Sequence, residues 1–229
     1  MLAFVFALPP FMDFLPVWIS IKTAFTATAI AFVLGILAAR LRWSRNHHVF
    51  DLIDMLILLP AALPSTVLGL ILISFLGRTA PFGELLADAG LSVVFTWAGN
   101  VVVATVVAFP LMYQVTRAAF QQVDSELVDV ARIFGFSEWH ILWRVLVPLA
   151  WPGIVIGTIL AFTRALGEFG ATLMVAGNIP GLTQTTPIAI FFAVESGESE
   201  QAVGLGLLLI AVAVAATTSI AWLNQKKKA

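Results

Sequence analysis

Of 229 residues, 60% are hydrophobic and only 11% are charged, and the mean hydropathy is +1.01. A soluble domain carries about 25% charged residues, so most of this surface faces something other than water. The absence of cysteine excludes disulfides and thiolate metal sites. The net charge of -1 says little as a total; the placement of the charges says more.

A spanning helix needs about 20 mainly apolar residues. Residues 1–16 are apolar, but Pro9, Pro10 and Pro16 interrupt them. They lack a basic n-region and an A-x-A-like cleavage site, so they read as an interfacial lead-in and not as a signal peptide. Residues 17–39 are the first span, stopped by Arg40 and Arg42. Residues 52–76 are the second, with a kink predicted at Pro60 and Pro64. The third is 93–115, with Pro110 near its end, and the fourth is 145–165, with Pro148 and Pro152 in its opening turns. The fifth is 202–223, where Trp222 suits an interfacial belt. Between spans three and four, 116–144 is polar and reads as one or two amphipathic helices. Between spans four and five, residues 167–201 mix short apolar runs with Gly, Pro and acidic residues, which predicts re-entrant or surface helices. The expected fold is an all-α membrane protein, one domain over 1–229 with about five transmembrane helices.

Basic residues near helix ends set the orientation. Arg40, Arg42, Arg45, Arg117, Arg132, Arg144, Lys226, Lys227 and Lys228 all fall on one side of a five-span chain. The other side has only Arg78 in its loops and collects Asp13, Glu84, Asp88, Glu195, Glu198 and Glu200. This predicts an external N-terminus and a cytoplasmic C-terminus.

In the cytoplasmic loop 116–144, Asp129-Val130-Ala131-Arg132 leads to Gly135, and nine residues later to Val145-Leu146-Val147-Pro148. A short helix closed by Gly135 fits this spacing, because Gly accepts a left-handed backbone after a helix C-terminus. Small Ala131 would let that helix sit close against a partner. The segment resembles the "EAA" coupling motif of bacterial ABC importer permeases: E-A-A, three residues, Gly, nine residues, then I-x-L-P. Ala131, Gly135 and Pro148 match; Asp129, Val130, Val145 and Val147 are conservative departures. The resemblance implies docking on a separate ATPase subunit, with Asp129, Ala131, Arg132, Gly135 and Pro148 as the coupling residues. An ordinary solvated loop is the alternative.

The run from Thr163 to Pro187 contains A-L-G-E-F-G-A-T, then G-N-I-P-G, then T-Q-T-T-P. It is similar to the segment after the fourth core helix in oxyanion importer permeases, those for molybdate above all. The resemblance points to Arg164, Gly167, Glu168, Phe169, Gly170, Thr172 and Asn178 as pathway or gate residues. Arg164 and Glu168 stand at i and i+4, on one face if the helix continues. Charges at membrane depth pair or line cavities, so the two are either a gate element or a neutralised structural pair. Lys22 either snorkels to the interface or adds weak attraction near an anion path. Lys22, Arg164 and Glu168 are the charges this reading places within the spans. His47, His48 and His140 have no ligand-like partners, so no metal or cofactor is expected. No G-x-x-x-x-G-K-[ST] occurs, so ATP would have to be hydrolysed elsewhere.

The family resemblance implies a permease subunit of an ABC importer for molybdate, and not an enzyme. Tungstate or sulfate permeases are the neighbouring alternatives; a membrane-embedded enzyme or a stand-alone channel are the alternatives of another class. The implied partners are membrane lipid, a second copy of the chain, two cytoplasmic ABC ATPase subunits, an external or periplasmic substrate-binding protein and the oxyanion, with no nucleic acid. The implied location is the bacterial inner membrane.

Overall fold

The structure is a computed structural model that describes residues 13–43 and 48–226. The lead-in expected before Asp13, the residues Arg45, His47, Lys227 and Lys228, and the side chains of His48, Trp222 and Lys226 lie outside the described residues. Every regular element among those described is helical. In order they are α1 (Leu15–Trp43), α2 (His48–Ala62), α3 (Ser65–Leu76), α4 (Pro81–Asp88), α5 (Trp97–Gln121), α6 (Ser125–Ile133), α7 (Glu138–Ile141), α8 (Val147–Leu166), α9 (Gly170–Ala176), α10 (Thr186–Glu195) and α11 (Ser199–Lys226).

Among the described residues, four stretches are long and apolar enough to cross a membrane: Leu15–Trp43, Trp97–Gln121, Glu138–Leu166 and Ser199–Thr218. A fifth crossing would be the pair Asp51–Ala62 and Ser65–Leu76, bent by 113°. The sequence predicts a kink here, and the structure has a corner. Pro64 precedes the first residue of α3, and a proline pushes its predecessor out of the α region, so the chain leaves the helix and restarts in a new direction.

Glu138–Leu166 runs without a break through a π turn at Leu142–Leu146. There the Val147 N–H donates to the Leu142 carbonyl, five residues back. Pro148 follows at once; its ring would crowd the carbonyl four residues earlier, and the wider turn relieves that. Helix therefore begins at Glu138, ahead of the expected start of the fourth span. At the other end of the loop, α5 persists to Gln121. Only residues 122–137 lie between the two long helices, and α6 occupies their middle.

The core is the packing of α1 on α5 and of α5 on α8. Ala24, Ala27, Ala31 and Ala39 form a stripe of fully buried small residues on α1. Gly35 lies in the same stripe, where a Cβ would come within 2.6 Å of Met112 Cγ. On α8, a Cβ at Gly153 would stand 2.5 Å from the Ala119 Cβ. Lipid offers no hydrophobic drive between helices, so close backbone approach over small residues supplies the contact. Large apolar side chains such as Phe25, Val33, Phe75 and Val214 point outward, as a lipid-facing surface requires.

Candidate functional site

Two groups of residues sit at opposite ends of the Glu138–Leu166 helix, about 40 Å apart at 1.5 Å per residue. The first surrounds α6. Its N-cap, Asp124, accepts a hydrogen bond from the Glu126 N–H at 2.9 Å. Gly135 ends it with φ +79°. The Phe136 N–H returns to the Ala131 carbonyl at 3.1 Å and the Gly135 N–H to Arg132 at 2.9 Å. That pair of bonds is a Schellman closure. The inner face of α6 carries Val128 and Ala131, both buried in the chain's own core. Within the chain, then, small Ala131 lets α6 lie close to its own protein. The outward face carries Leu127, Val130, Ile133 and Phe134, with Phe136 and Trp139 just beyond, all exposed.

Asp129 and Arg132 are exposed and pair at 2.9 Å. Arg132 also reaches Glu138 at 2.8 Å, and Glu138 pairs in turn with Arg40 at the end of α1. Pro148 lies just past the π turn. Glu138 and Arg40 escaped the sequence reading because their partnership spans 98 residues.

Asp54 also went unnoticed, although it lies within 52–76. It is 8% exposed, and it accepts from Arg42 at 2.9 Å, from Arg117 at 2.6 Å and from the Tyr113 hydroxyl. Asp54 thus joins Lys22, Arg164 and Glu168 as a charge within the predicted spans. This carboxylate ties α2 to the C-terminal ends of α1 and α5, and a lone Asp in an apolar run gives no hint of three distant partners.

The second group follows α8. Helix ends at Leu166, with Gly167 as its cap, so Arg164 and Glu168 do not share one continuous helix. They nevertheless pair across the corner, Arg164 Nη1 to Glu168 Oε2 at 2.8 Å. The Glu168 side chain is 2% exposed and that of Arg164 is 36% exposed. The other Glu168 oxygen accepts the Ala171 N–H at 3.1 Å, so one carboxylate neutralises the arginine and caps the start of α9. Phe169 is half-buried and packs its ring on Phe191 at 5.2 Å. Gly170 and Thr172 are buried. Gly170 is required by proximity: its Cβ would stand 2.6 Å from Ser65 Oγ on α3. Gly69 of α3 is equally close to α9, 2.9 Å from Ala171 Cα. The bent helix α3 thus backs the candidate gate.

Beyond α9 the loop folds on Thr183. Its hydroxyl accepts from the Ile179 N–H at 3.1 Å and donates to the Gly177 carbonyl at 3.3 Å, while its carbonyl accepts from Asn100 Nδ2 at 2.9 Å. Asn178 accepts from Gln184 at 2.8 Å within the same loop. The Thr186 N–H donates to Ser20 Oγ of α1 at 2.7 Å. Lys22 lies 4.0 Å from the Trp97 ring centroid, a cation–π contact the sequence did not suggest. Asn100, Thr183 and Ser20 are the anchors of the loop, and no spacing rule would have found them. The His140 ring stacks on Phe136 at 5.9 Å. Among the described residues no group of three or more His, Cys, Asp or Glu could hold a metal ion.

Comparison with known proteins is consistent across sequence and structure. The family described as binding-protein-dependent transport system inner membrane component matches residues 31–229. The putative molybdenum transport system permease protein YvgM of Bacillus subtilis is 38% identical over 93% of this chain and 93% of its own length. The molybdenum transport system permease protein ModB of Escherichia coli is 37% identical over 90% and 91%. The sulfate transport system permease protein CysT of Escherichia coli is 30% identical over 91% of this chain and 75% of its own length. Among solved structures, the MetNI methionine ABC transporter, in inward-facing conformations, aligns with a TM-score of 0.72 at 18% identity, covering 92% of this chain and 94% of that one. This agreement of sequence and fold places the chain in the family of inner membrane components of binding-protein-dependent transport systems, the permeases of ABC importers.

Proposed function

We propose that this chain is the membrane-spanning subunit of an ATP-driven importer for molybdate, acting as a dimer. Two cytoplasmic ATPase subunits and an external substrate-binding protein complete the assembly. The observation that carries the reading is the likeness, over nine-tenths of both chains, to permeases named for molybdenum transport. A sulfate permease is the second reading, and CysT-type relatives support it over a smaller share of their own length.

In this reading α6 is the coupling helix. Its exposed Val130, Ile133 and Phe134 supply apolar contact to the ATPase, and Asp129 and Arg132 supply charge at the rim. A membrane protein gains nothing from such a patch in water, which is an argument for a covering partner. Closure of the ATPases would move α6 and, with it, the long helix that begins at Glu138. The other end of that helix carries the Arg164–Glu168 corner, the candidate gate. Because Arg164 neutralises Glu168, the corner does not present a bare carboxylate to a dianion. N-terminus outside and C-terminus inside follows from the basic residues around α6 and the ends of α1 and α5. The proposal is tested by capture of the tagged chain from membranes expressing the full system: a P-loop ATPase should co-purify in equal number of subunits. Its absence would favour a self-sufficient channel or a membrane-embedded enzyme.

A further inference from the structure

Glu138 stands where three helices meet. Each of its carboxylate oxygens takes a different arginine: Oε1 accepts from Arg132 Nε at 2.8 Å, and Oε2 accepts from Arg40 Nη2. Arg132 belongs to α6 and also holds Asp129. Arg40 belongs to the C-terminal end of α1, where its side chain is 11% exposed and its Nη1 finds no hydrogen-bond partner among the described residues. Charge-assisted bonds of this type are directional and strong for their size. A nearly buried guanidinium has no cheap alternative to the carboxylate it pairs with. Glu138 is also the first residue of the continuous helix that ends at Leu166.

We propose that Glu138 is the joint through which displacement of α6 is passed to two spanning helices at once: directly to the long helix it begins, and through Arg40 to α1. Glu138 is a positioning residue and touches no substrate. This rests on the reading of α6 as the ATPase-docking element and adds to it the route that movement takes. The receiving body is stiff. α1 lies against α5 with Gly35 on Met112, and α5 lies against α8 with Ala119 on Gly153 and Val115 on Gly157. Contacts this close leave no room for one helix to slip alone. A shift applied at Glu138 and Arg40 therefore tilts α1, α5 and α8 together. Without the joint, α6 would lose its ion-pair tie to α1 and to the long helix, and part of its movement would be lost.

The test uses the complete complex of permease, ATPases and binding protein in proteoliposomes, and reads oxyanion delivered per ATP hydrolysed. Glu138→Gln should retain its ATPase subunits, yet lower delivery per ATP about fivefold, within the range that coupling changes of 0.5–2 kcal/mol produce. Arg40→Gln should do the same, and the double variant should be no worse than the worse single, since both break one chain. Glu138→Asp keeps the charge and should recover half or more of the loss. A purely structural role would lower thermal stability and leave delivery per ATP unchanged; that result in Glu138→Gln, or in Arg40→Gln should Glu138→Gln fail to accumulate, overturns the proposal. So would single losses that multiply in the double variant. A wild-type chain that retains no ATPase would sink the docking reading and the joint together, whereas retained ATPase with an unchanged ratio sinks the joint alone.

Discussion

At the residue scale, the Arg164–Glu168 pair is informative because its two members are unequally buried. Removing one partner of a fully buried pair costs about 3–5 kcal/mol. Glu168 is 2% exposed, so Arg164→Gln leaves a carboxylate with no cation in a dry site and should cost close to that amount. Arg164 is 36% exposed, so Glu168→Gln leaves an arginine that water can reach. That change also weakens the cap on the Ala171 N–H, for a total of about 1–3 kcal/mol. We therefore expect Arg164→Gln to lower the melting temperature of the purified chain more than Glu168→Gln. The double glutamine variant should recover part of the loss seen in Arg164→Gln. Equal effects of the two singles would contradict the burial argument. Uptake per assembled complex separates the two roles: a structural pair is rescued in the double, whereas an arginine that faces the ion is not.

At the element scale, the contact of α3 with α9 makes the bent second segment a support for the candidate gate. A Cβ at Gly69 would fall 2.9 Å from Ala171 Cα, a backbone atom that cannot swing aside. Gly69→Leu should thus destabilise the chain by about 1–3 kcal/mol through overpacking and impair transport, read as a lowered melting temperature and lowered uptake. Gly206→Leu on α11, where a Cβ would meet nothing within 4 Å, is the control and should be near neutral. The long apolar segments were legible from sequence, since hydrocarbon demands uninterrupted apolar length. Pro60 and Pro64 marked the break between α2 and α3, but the 113° angle and the packing of α3 on Gly170 and Ala171 are recorded by no local signal. The α6 helix and its Gly135 closure were legible from cap chemistry. The inward face of Ala131 was not, because a nine-residue amphipathic helix does not say which side its own protein covers. Asp54, Glu138 and Asn100 share a reason for being hidden in the sequence: each holds at least one partner that lies from 12 to 98 residues away.

At the scale of the whole molecule, one helix from Glu138 to Leu166 joins an exposed apolar patch at one end to the paired Arg164–Glu168 corner at the other. That arrangement suits a subunit that is moved by something else. Its sequence has no G-x-x-x-x-G-K-[ST] run, and the ion pairs of Glu138 with Arg40 and of Asp54 with Arg42 and Arg117 hold helices together. ATP-driven molybdate import is read in vesicles containing the full complex with its binding protein. Labelled molybdate should accumulate only with ATP and binding protein present, and excess unlabelled molybdate should abolish the uptake while equal excess sulfate leaves most of it. Uptake that sulfate abolishes as readily as molybdate would move the chain to the sulfate reading, and uptake without ATP would contradict the account.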